Sequence, residues 1–214
     1  MEMQELLKKV EELKIVPVVV LEDAKDALPL GQALIDGGLP VAEVTFRTAA
    51  AADSIKAMSE AFPEMLVGAG TVVNVEQCKQ AIECGAKFIV TPGYSEEVTT
   101  YCCENNIPIL PGVCTPTELM MVVNHGLPVA KFFPAAQFGG VSTIQALAAP
   151  YVGLKFMPTG GVNAKNLADY LQCKSIIACG GSWMVKSDLI KAGEFEKIKD
   201  MTKEAVSLVN EIRA

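Results

Sequence analysis

Lys131 lies near the end of an apolar, strand-like run, residues 129–134. Burying an ammonium group is costly, and desolvation favours the neutral amine form of a lysine. A neutral amine is a nucleophile that condenses with ketones. We therefore predict that Lys131 forms a Schiff base with a ketone substrate. In the alternative interpretation, its side chain simply extends from the strand end into solvent.

A second apolar run, residues 41–47, carries three polar side chains at alternate positions. Glu43, Thr45 and Arg47 would share one face if this run is a strand. The acid is a plausible partner for Lys131, and the planar guanidinium suits a substrate carboxylate. The alternative is an internal salt bridge between Glu43 and Arg47 that neutralises two interior charges.

Glycine pairs follow the last two apolar runs of the chain. Gly160 and Gly161 end one run, and Gly180, Gly181 and Ser182 end the other. Glycines let backbone N–H groups approach an anion closely, and a following helix N-terminus would add partial positive charge. We predict a phosphate site here, with a tight strand-to-helix turn as the alternative.

Together these positions would hold a ligand with three functional groups. Arg47, with the Thr71 hydroxyl next to it, would bind a carboxylate. Lys131 would react with a neighbouring ketone, and the glycines would hold a distant phosphate. A phosphorylated 2-keto acid has all three groups.

Short apolar runs recur along the chain and begin roughly every 20 to 26 residues, which leaves room for a strand and one crossover helix. They span residues 15–21, 41–46, 66–71, 88–92, 108–113, 129–134, 155–159 and 175–179. This pattern predicts an α/β fold, a (β/α)8 or TIM barrel, with an extra N-terminal helix ahead of the first strand. An open doubly wound sheet is the alternative, but no Gly-x-Gly-x-x-Gly motif follows the first run.

Length and charge narrow the class of protein. The 214 residues, half of them apolar, fit a single domain over residues 1–214. A net charge of -7 argues against nucleic acid or an anionic membrane as a partner. No apolar stretch reaches the ~20 residues of a membrane span, and no signal-peptide pattern is seen, so we expect a cytoplasmic protein. The single histidine leaves little material for a His-based metal site.

Six sequence motifs resemble those of the 2-keto-3-deoxy-6-phosphogluconate (KDPG) and 4-hydroxy-2-oxoglutarate (KHG) aldolases. They are residues 43–48 (EVTFRT), 68–72 (GAGTV), 91–93 (TPG), 131–135 (KFFPA), 158–162 (PTGGV) and 180–183 (GGSW). The motifs span nearly the whole chain in order. The resemblance implies a class I aldolase of the Entner–Doudoroff type on a (β/α)8 barrel, usually a homotrimer, that cleaves KDPG to pyruvate and glyceraldehyde 3-phosphate.

The resemblance also assigns roles to residues. Lys131 would form the Schiff base, and Glu43 would shuttle protons. The positions implied for substrate are Arg47 and Thr71 at the pyruvate carboxylate, Pro92 and Phe133 in the pocket wall, and Gly160, Gly161, Gly181 and Ser182 at the phosphate. Neither a metal nor another cofactor is expected, since the iminium supplies the electron sink.

Other functions stay open on the sequence. The nearest is cleavage of 4-hydroxy-2-oxoglutarate to pyruvate and glyoxylate, and a preference for the galactonate epimer is another. Ala136 stands where many relatives carry glutamate, which leaves specificity at the far end of the substrate open. A phosphate-binding barrel isomerase or decarboxylase, and a non-catalytic sugar-phosphate sensor, would share the glycine-rich strand ends without needing an amine nucleophile.

Overall fold

Parallel strands alternate with helices along the chain in the computed structural model, which describes residues 1–213. The strands are Ile15–Val19 (β1), Val41–Thr45 (β2), Leu66–Gly70 (β3), Ile89–Val90 (β4), Ile109–Leu110 (β5), Gly112–Val113 (β6), Val129–Phe132 (β7), Lys155–Pro158 (β8) and Cys179–Gly181 (β9). The helices are Met3–Leu13 (α1), Ala27–Asp36 (α2), Ala51–Ala61 (α3), Val75–Glu83 (α4), Glu96–Glu104 (α5), Pro116–Asn124 (α6), Gly140–Ala148 (α7), Leu167–Leu171 (α8), Ser187–Lys191 (α9) and Phe195–Arg213 (α10), with a short 3₁₀ turn at Ala24–Asp26.

Local sequence signals set several helix starts. Thr115 and Glu118 form a full capping box, with Pro116 as the first helical residue of α6. The Ser95 hydroxyl accepts the Val98 N–H at the start of α5. These hydrogen bonds satisfy N–H groups that have no partner inside the helix.

Thr48, which follows β2, does not cap the next helix. Its hydroxyl donates to the Leu21 carbonyl. Helix α3 begins three residues later, at Ala51, with Ala50 in the cap position. Thr48 therefore ties the end of the second strand run to that of the first.

All paired strands run parallel, in two sheets. The larger has the order β5-β4-β3-β2-β1-β9, and the smaller has the order β6-β7-β8. The register between β2 and β3 places Glu43 beside Gly68 and Thr45 beside Gly70. In the smaller sheet, Lys131 lies beside Gly112. The α/β class with parallel strands is confirmed.

A single ladder of eight strands differs from what is seen, and Pro111 explains one interruption. Proline has no N–H, so it breaks the expected fifth strand into β5 and β6. On either side of it the partner changes: Leu110 accepts the Thr91 N–H, and the Pro111 carbonyl accepts the Lys131 N–H.

The second interruption lies at the last strand, which begins at Cys179 rather than at Ser175. Ser175 and Ile177 exchange hydrogen bonds with Phe156 of β8, whereas Cys179 donates to the Lys14 carbonyl just before β1. The segment therefore touches both sheets in turn. An isolated parallel bridge between Thr159 and Gly180 is a further contact between them.

The extra N-terminal helix is present as α1. Leu6 and Val10 bury its apolar side in the core. Met3, at its start, shares a small surface pocket with Pro108 and Leu127, which precede β5 and β7. Helix α1 thus lies at the N-terminal ends of these strands, as expected for a helix that covers the floor of the fold.

The buried apolar side chains form one contiguous cluster that extends from Leu6 to Val209. The strands contribute most of their residues to it, since both faces of β1, β2 and β3 are buried. This pattern is typical of parallel sheets covered on both sides. Among the helices of residues 1–213, none is long and apolar enough to cross a membrane.

Candidate active site

The C-terminal ends of the strands surround a cavity of about 280 Å³. The ten residues to which the resemblance assigned a role all line this cavity. They are Glu43, Arg47, Thr71, Pro92, Lys131, Phe133, Gly160, Gly161, Gly181 and Ser182. Most of them are within two residues of a strand end, so the strand lengths and register bring together positions that are far apart in sequence.

Lys131 and Glu43 form an ion pair inside the protein. The Lys131 Nζ atom donates to Glu43 Oε1 at 3.0 Å. Glu43 is fully buried and Lys131 is 4% exposed. The Nζ atom also lies 5.4 Å from the centre of the Phe133 ring. Lys131 therefore does not extend into solvent, and its hydrogen bond gives a direct route for a proton between amine and carboxylate.

Gly70 makes room for the Glu43 carboxylate. A Cβ atom at position 70 would lie 2.2 Å from Glu43 Oε1, so a larger residue would displace the acid. The second carboxylate oxygen, Oε2, is buried and has no hydrogen-bond partner within residues 1–213. An unpaired buried acceptor is costly, and it is available for a hydroxyl of a ligand.

Arg47 is exposed at the mouth of the cavity and is held by Thr45 rather than by Glu43. Its Nε atom donates to Thr45 Oγ1 at 3.2 Å, and Thr45 donates to the Val19 carbonyl at 2.9 Å. The alternative, a salt bridge between Glu43 and Arg47, is absent from the described part of the chain, because Glu43 pairs with Lys131 as predicted. The guanidinium fork is thus left for a ligand.

Thr71 has an unusual backbone conformation for a β-branched residue. Its φ angle is 56°, in the left-handed region, directly after β3. Such strain is maintained only where surrounding structure enforces it, and it is common at functional sites. The conformation places Thr71 on the cavity wall.

Pro92 and Phe133 both form part of the cavity wall. A Cβ atom at Gly112 would lie 2.5 Å from the Pro92 carbonyl carbon, so the glycine allows the two chain segments to approach closely. Gly112 is also the neighbour of Lys131 across the sheet, which leaves space beside the lysine side chain. Glycines therefore flank both members of the ion pair.

The peptides after β8 direct N–H groups toward open space. The Gly160 carbonyl accepts the Ala136 N–H, and the Gly161 carbonyl accepts the side-chain amides of Asn163 and Asn166. In a trans peptide the next N–H points the opposite way. The N–H groups of Gly161 and Val162 therefore point away from these donors, and no protein acceptor for them is found in residues 1–213.

Gly160 and Gly161 both have positive φ angles, 99° and 81°. A side chain at Gly161 would collide with Ala136, since its Cβ would lie 2.4 Å from that of the alanine. The expected contribution of helix N-termini is wrong in detail. Helices α8 and α9 have five residues each and begin several residues after the glycines. Unpaired backbone N–H groups of the lining, rather than helix ends, are thus the candidate donors to an anion.

Three residues of the lining were not singled out by the sequence: Val18, Thr159 and Val162. Gly180 lines the cavity too, with the other glycines of the predicted phosphate site. Thr159 Oγ1 is buried without a hydrogen-bond partner in the described chain, and a Cβ at Gly180 would lie 2.2 Å from it. Both residues end apolar runs, so the rule that found Thr71 would also have found Thr159. Val18 gives no comparable signal, because an apolar residue in a strand is ordinary.

The cysteines do not provide a competing nucleophile in the cavity. Cys179, just before the glycines of β9, is buried, and this burial raises the pKa of its thiol. A protonated thiol is a poor nucleophile. Among residues 1–213, no three side chains of the His, Cys, Asp and Glu types are grouped as a metal site would need.

Comparisons with known proteins agree with this geometry. The family model described as KDPG and KHG aldolase matches residues 6–201. The 2-dehydro-3-deoxy-phosphogluconate aldolase of Treponema pallidum is 42% identical over 204 residues, which cover 95% of this chain and 97% of the relative. The KHG/KDPG aldolase of Escherichia coli K12 is 43% identical over 192 residues, 90% of each chain.

A solved structure is similarly close in shape. The KDPG aldolase of Legionella pneumophila, solved with pyruvate captured as a covalent carbinolamine intermediate, superimposes with a TM-score of 0.90 at 36% identity. The match covers 92% of this chain and 96% of that one. These findings confirm the resemblance seen in the sequence motifs, and the chain belongs to the KDPG and KHG aldolase family.

Proposed function

We propose that this protein is a class I aldolase that cleaves 2-keto-3-deoxy-6-phosphogluconate to pyruvate and glyceraldehyde 3-phosphate. It is thus a lyase that acts on a carbon–carbon bond. The observation that carries the proposal is the amine of Lys131, 3.0 Å from a buried carboxylate inside a cavity at the strand ends. The names of the relatives, all of them aldolases of this kind, support it.

The first step is formation of the imine. Lys131 passes a proton to Glu43, and the neutral amine attacks the substrate ketone to give a carbinolamine. Loss of water then gives an iminium. The carbinolamine trapped in the Legionella pneumophila enzyme supports this course for the family. The short contact between Nζ and Oε1 lets the same acid give and take the proton.

The second step breaks the carbon–carbon bond next to the iminium. Glu43 accepts the proton of the substrate hydroxyl, the aldehyde leaves, and the bonding electrons move to the iminium nitrogen to give an enamine. Glu43 then returns a proton to the enamine carbon, and water hydrolyses the imine to release pyruvate and Lys131. The unpaired Oε2 of Glu43 is the atom that would receive the hydroxyl proton.

The rest of the cavity orients the substrate. Arg47 and Thr71 bind the carboxylate of the pyruvate half, and Pro92 and Phe133 confine it from the sides. The N–H groups around Gly161, together with Gly160, Gly181 and the Ser182 hydroxyl, bind the phosphate. Positioning of this kind lets an acidic protein hold an anion without a basic surface.

We extend the proposal to the fold, the oligomeric state and the cellular compartment. The contacts that link the two sheets, at Pro111 and between Thr159 and Gly180, support one closed (β/α)8 barrel formed by a single domain.

Large apolar surfaces are exposed at Met120, Val123 and Val152, which supports burial of these residues in a homotrimer. The seven cysteines are all free, which supports a reducing cytoplasm.

A steady-state comparison of three substrates tests the function. We expect the highest kcat/KM with the phosphorylated gluconate derivative, a lower value with its galactonate epimer, and the lowest with 4-hydroxy-2-oxoglutarate. The last has no phosphate, so it would leave the glycine-rich end of the cavity unused. The proposal fails if no keto acid in this set is cleaved, or if the unphosphorylated substrate is clearly preferred.

A further inference from the structure

A second cavity, of about 400 Å³, adjoins the first. The two share Val18, Arg47 and Ser182 in their lining. The second extends from there along the segment after β9, where Lys186 and Asp188 contribute charged residues. Because Arg47 and Ser182 line both cavities, a ligand bound in the first cavity can extend past them into the second.

Lys186 is the cationic residue in the lining of these two cavities to which the proposed function assigns no role. Three cationic residues line them: Arg47, Lys131 and Lys186. Lys131 is paired with Glu43, and Arg47 is held by Thr45 and is assigned to the substrate carboxylate in the proposed function. The Lys186 ammonium has no ion-pair partner within residues 1–213, and the residue is exposed.

The proposed phosphate site lacks a countercharge of its own. Its groups are backbone N–H donors and the Ser182 hydroxyl, whereas the protein carries a net charge of -7. A phosphate ester at neutral pH carries close to two negative charges. An ammonium four residues after Ser182 would form a charge-assisted hydrogen bond to it from the solvent side.

We propose that Lys186 is a specificity-determining residue that binds the phosphate ester of the substrate at the boundary of the two cavities. The inference rests on the proposed function, since it assumes that the phosphate lies against Ser182. Asp188 tempers the local positive charge, although its carboxylate accepts the N–H of Leu189 in its own helix. Lys186 thus favours phosphorylated over unphosphorylated keto acids.

The test compares K186A with a matched control, K191A. Lys191 is the last residue of α9, the short helix that begins directly after Lys186, but it pairs with Glu22 at 2.7 Å and lines neither cavity. We expect K186A to lower kcat/KM for the phosphorylated substrate by about 5- to 10-fold, mainly through KM, as for a partly exposed charged contact. K186R should keep most of the activity, and K191A should match the unmodified protein.

Two further readouts separate binding of phosphate from damage to the site. Borohydride trapping of pyruvate, which has no phosphate, should proceed equally in K186A and the unmodified protein. Inorganic phosphate should inhibit K186A less strongly, and added salt should lower kcat/KM less steeply.

Equal kcat/KM for K186A and the unmodified protein, or equal losses in K186A and K191A, would overturn the inference about Lys186. So would a loss of pyruvate trapping in K186A as large as its loss of kcat/KM. Failure of the proposed function is a different result, because it would appear as no pyruvate adduct and no cleavage in the unmodified protein.

Discussion

Lys131 and Glu43 depend on each other for burial. A buried ion pair is held by mutual attraction, and loss of one partner leaves the other charge without compensation. The sequence places them 88 residues apart, on β2 of the larger sheet and β7 of the smaller, and only the folded chain brings them into contact. The chemistry of the site is therefore a product of two strands rather than of one motif.

Replacement of Lys131 and of Thr71 should have very different effects. We expect K131M to lower kcat/KM by about 10⁴-fold or more, because no other amine can form the imine. T71V should lower it only about 10-fold, as for the loss of one hydrogen bond to a charged group. Steady-state kinetics measure kcat/KM of both variants, and circular dichroism confirms that they fold. Comparable activities would contradict the assigned roles.

Gly70 offers a test of the space needed by Glu43. The methyl group of G70A would collide with the Glu43 carboxylate, so we expect a loss of kcat of about 10² or more, the scale of a displaced proton-transfer group. Gly93 is the control, since a Cβ there meets nothing within 4 Å. G93A should keep near-normal kcat. If G70A is as active as G93A, the carboxylate does not need its present position.

At the scale of single residues, nearly all of the candidate site could be predicted from the sequence. The alternation of polar and apolar residues along 41–47 predicts that the polar side chains point inward. The position of Lys131 in an apolar run predicts the same for its side chain. Glu43 was predicted as the partner of Lys131, but the sequence left a Glu43–Arg47 salt bridge open as the alternative, because the choice depends on how distant strands are arranged. Val18 could not be distinguished from any other core residue either.

A few local features of the strands and helices set the geometry of the site. Pro111 divides the run 108–113, which the sequence analysis treated as one strand, into β5 and β6. The short length of α8 and α9 could not be predicted, since residues 164–166 and 183–184 form turns instead of extending these helices. As a result, the glycines after β8 and in β9 line the cavity several residues before either helix begins.

The capping box of α6 should contribute measurably to stability. Thr115 accepts the Glu118 N–H, and Glu118 accepts the N–H groups of Cys114 and Thr115. We expect T115A to lower the free energy of unfolding by about 1 kcal/mol and Tm by about 2 to 4 °C. T117A, on the exposed side of the same helix, is the control. Thermal denaturation of both variants measures the difference, and equal Tm values would contradict the role of the cap.

The whole molecule places its chemistry at one end and its covering helix at the other. Helix α1 lies near the N-terminal ends of strands, while the cavity lies at their C-terminal ends. Such a division lets the core provide stability and the strand ends provide function. The alternation of runs in the sequence predicted this plan. The break into two sheets reflects local hydrogen bonding at Pro111 and Cys179, which periodicity does not resolve.

The oligomeric state is a prediction at the scale of the molecule. We expect light scattering after size exclusion to give three times the chain mass of 22.8 kDa. Replacement of the exposed Val152 and Met120 by aspartate should shift the protein toward the monomer, because charges would be buried in the interface. A monomer in the unmodified protein would contradict the proposed trimer while leaving the chemistry of the site untouched.

The Schiff base is the central claim, and covalent trapping tests it most directly. Incubation with pyruvate and borohydride, followed by proteolysis and mass spectrometry, should locate a stable reduced adduct on Lys131. The adduct should be absent from K131M and absent when pyruvate is omitted. An unmodified Lys131 in a protein that still cleaves the substrate, or an adduct on a different lysine, would contradict the account.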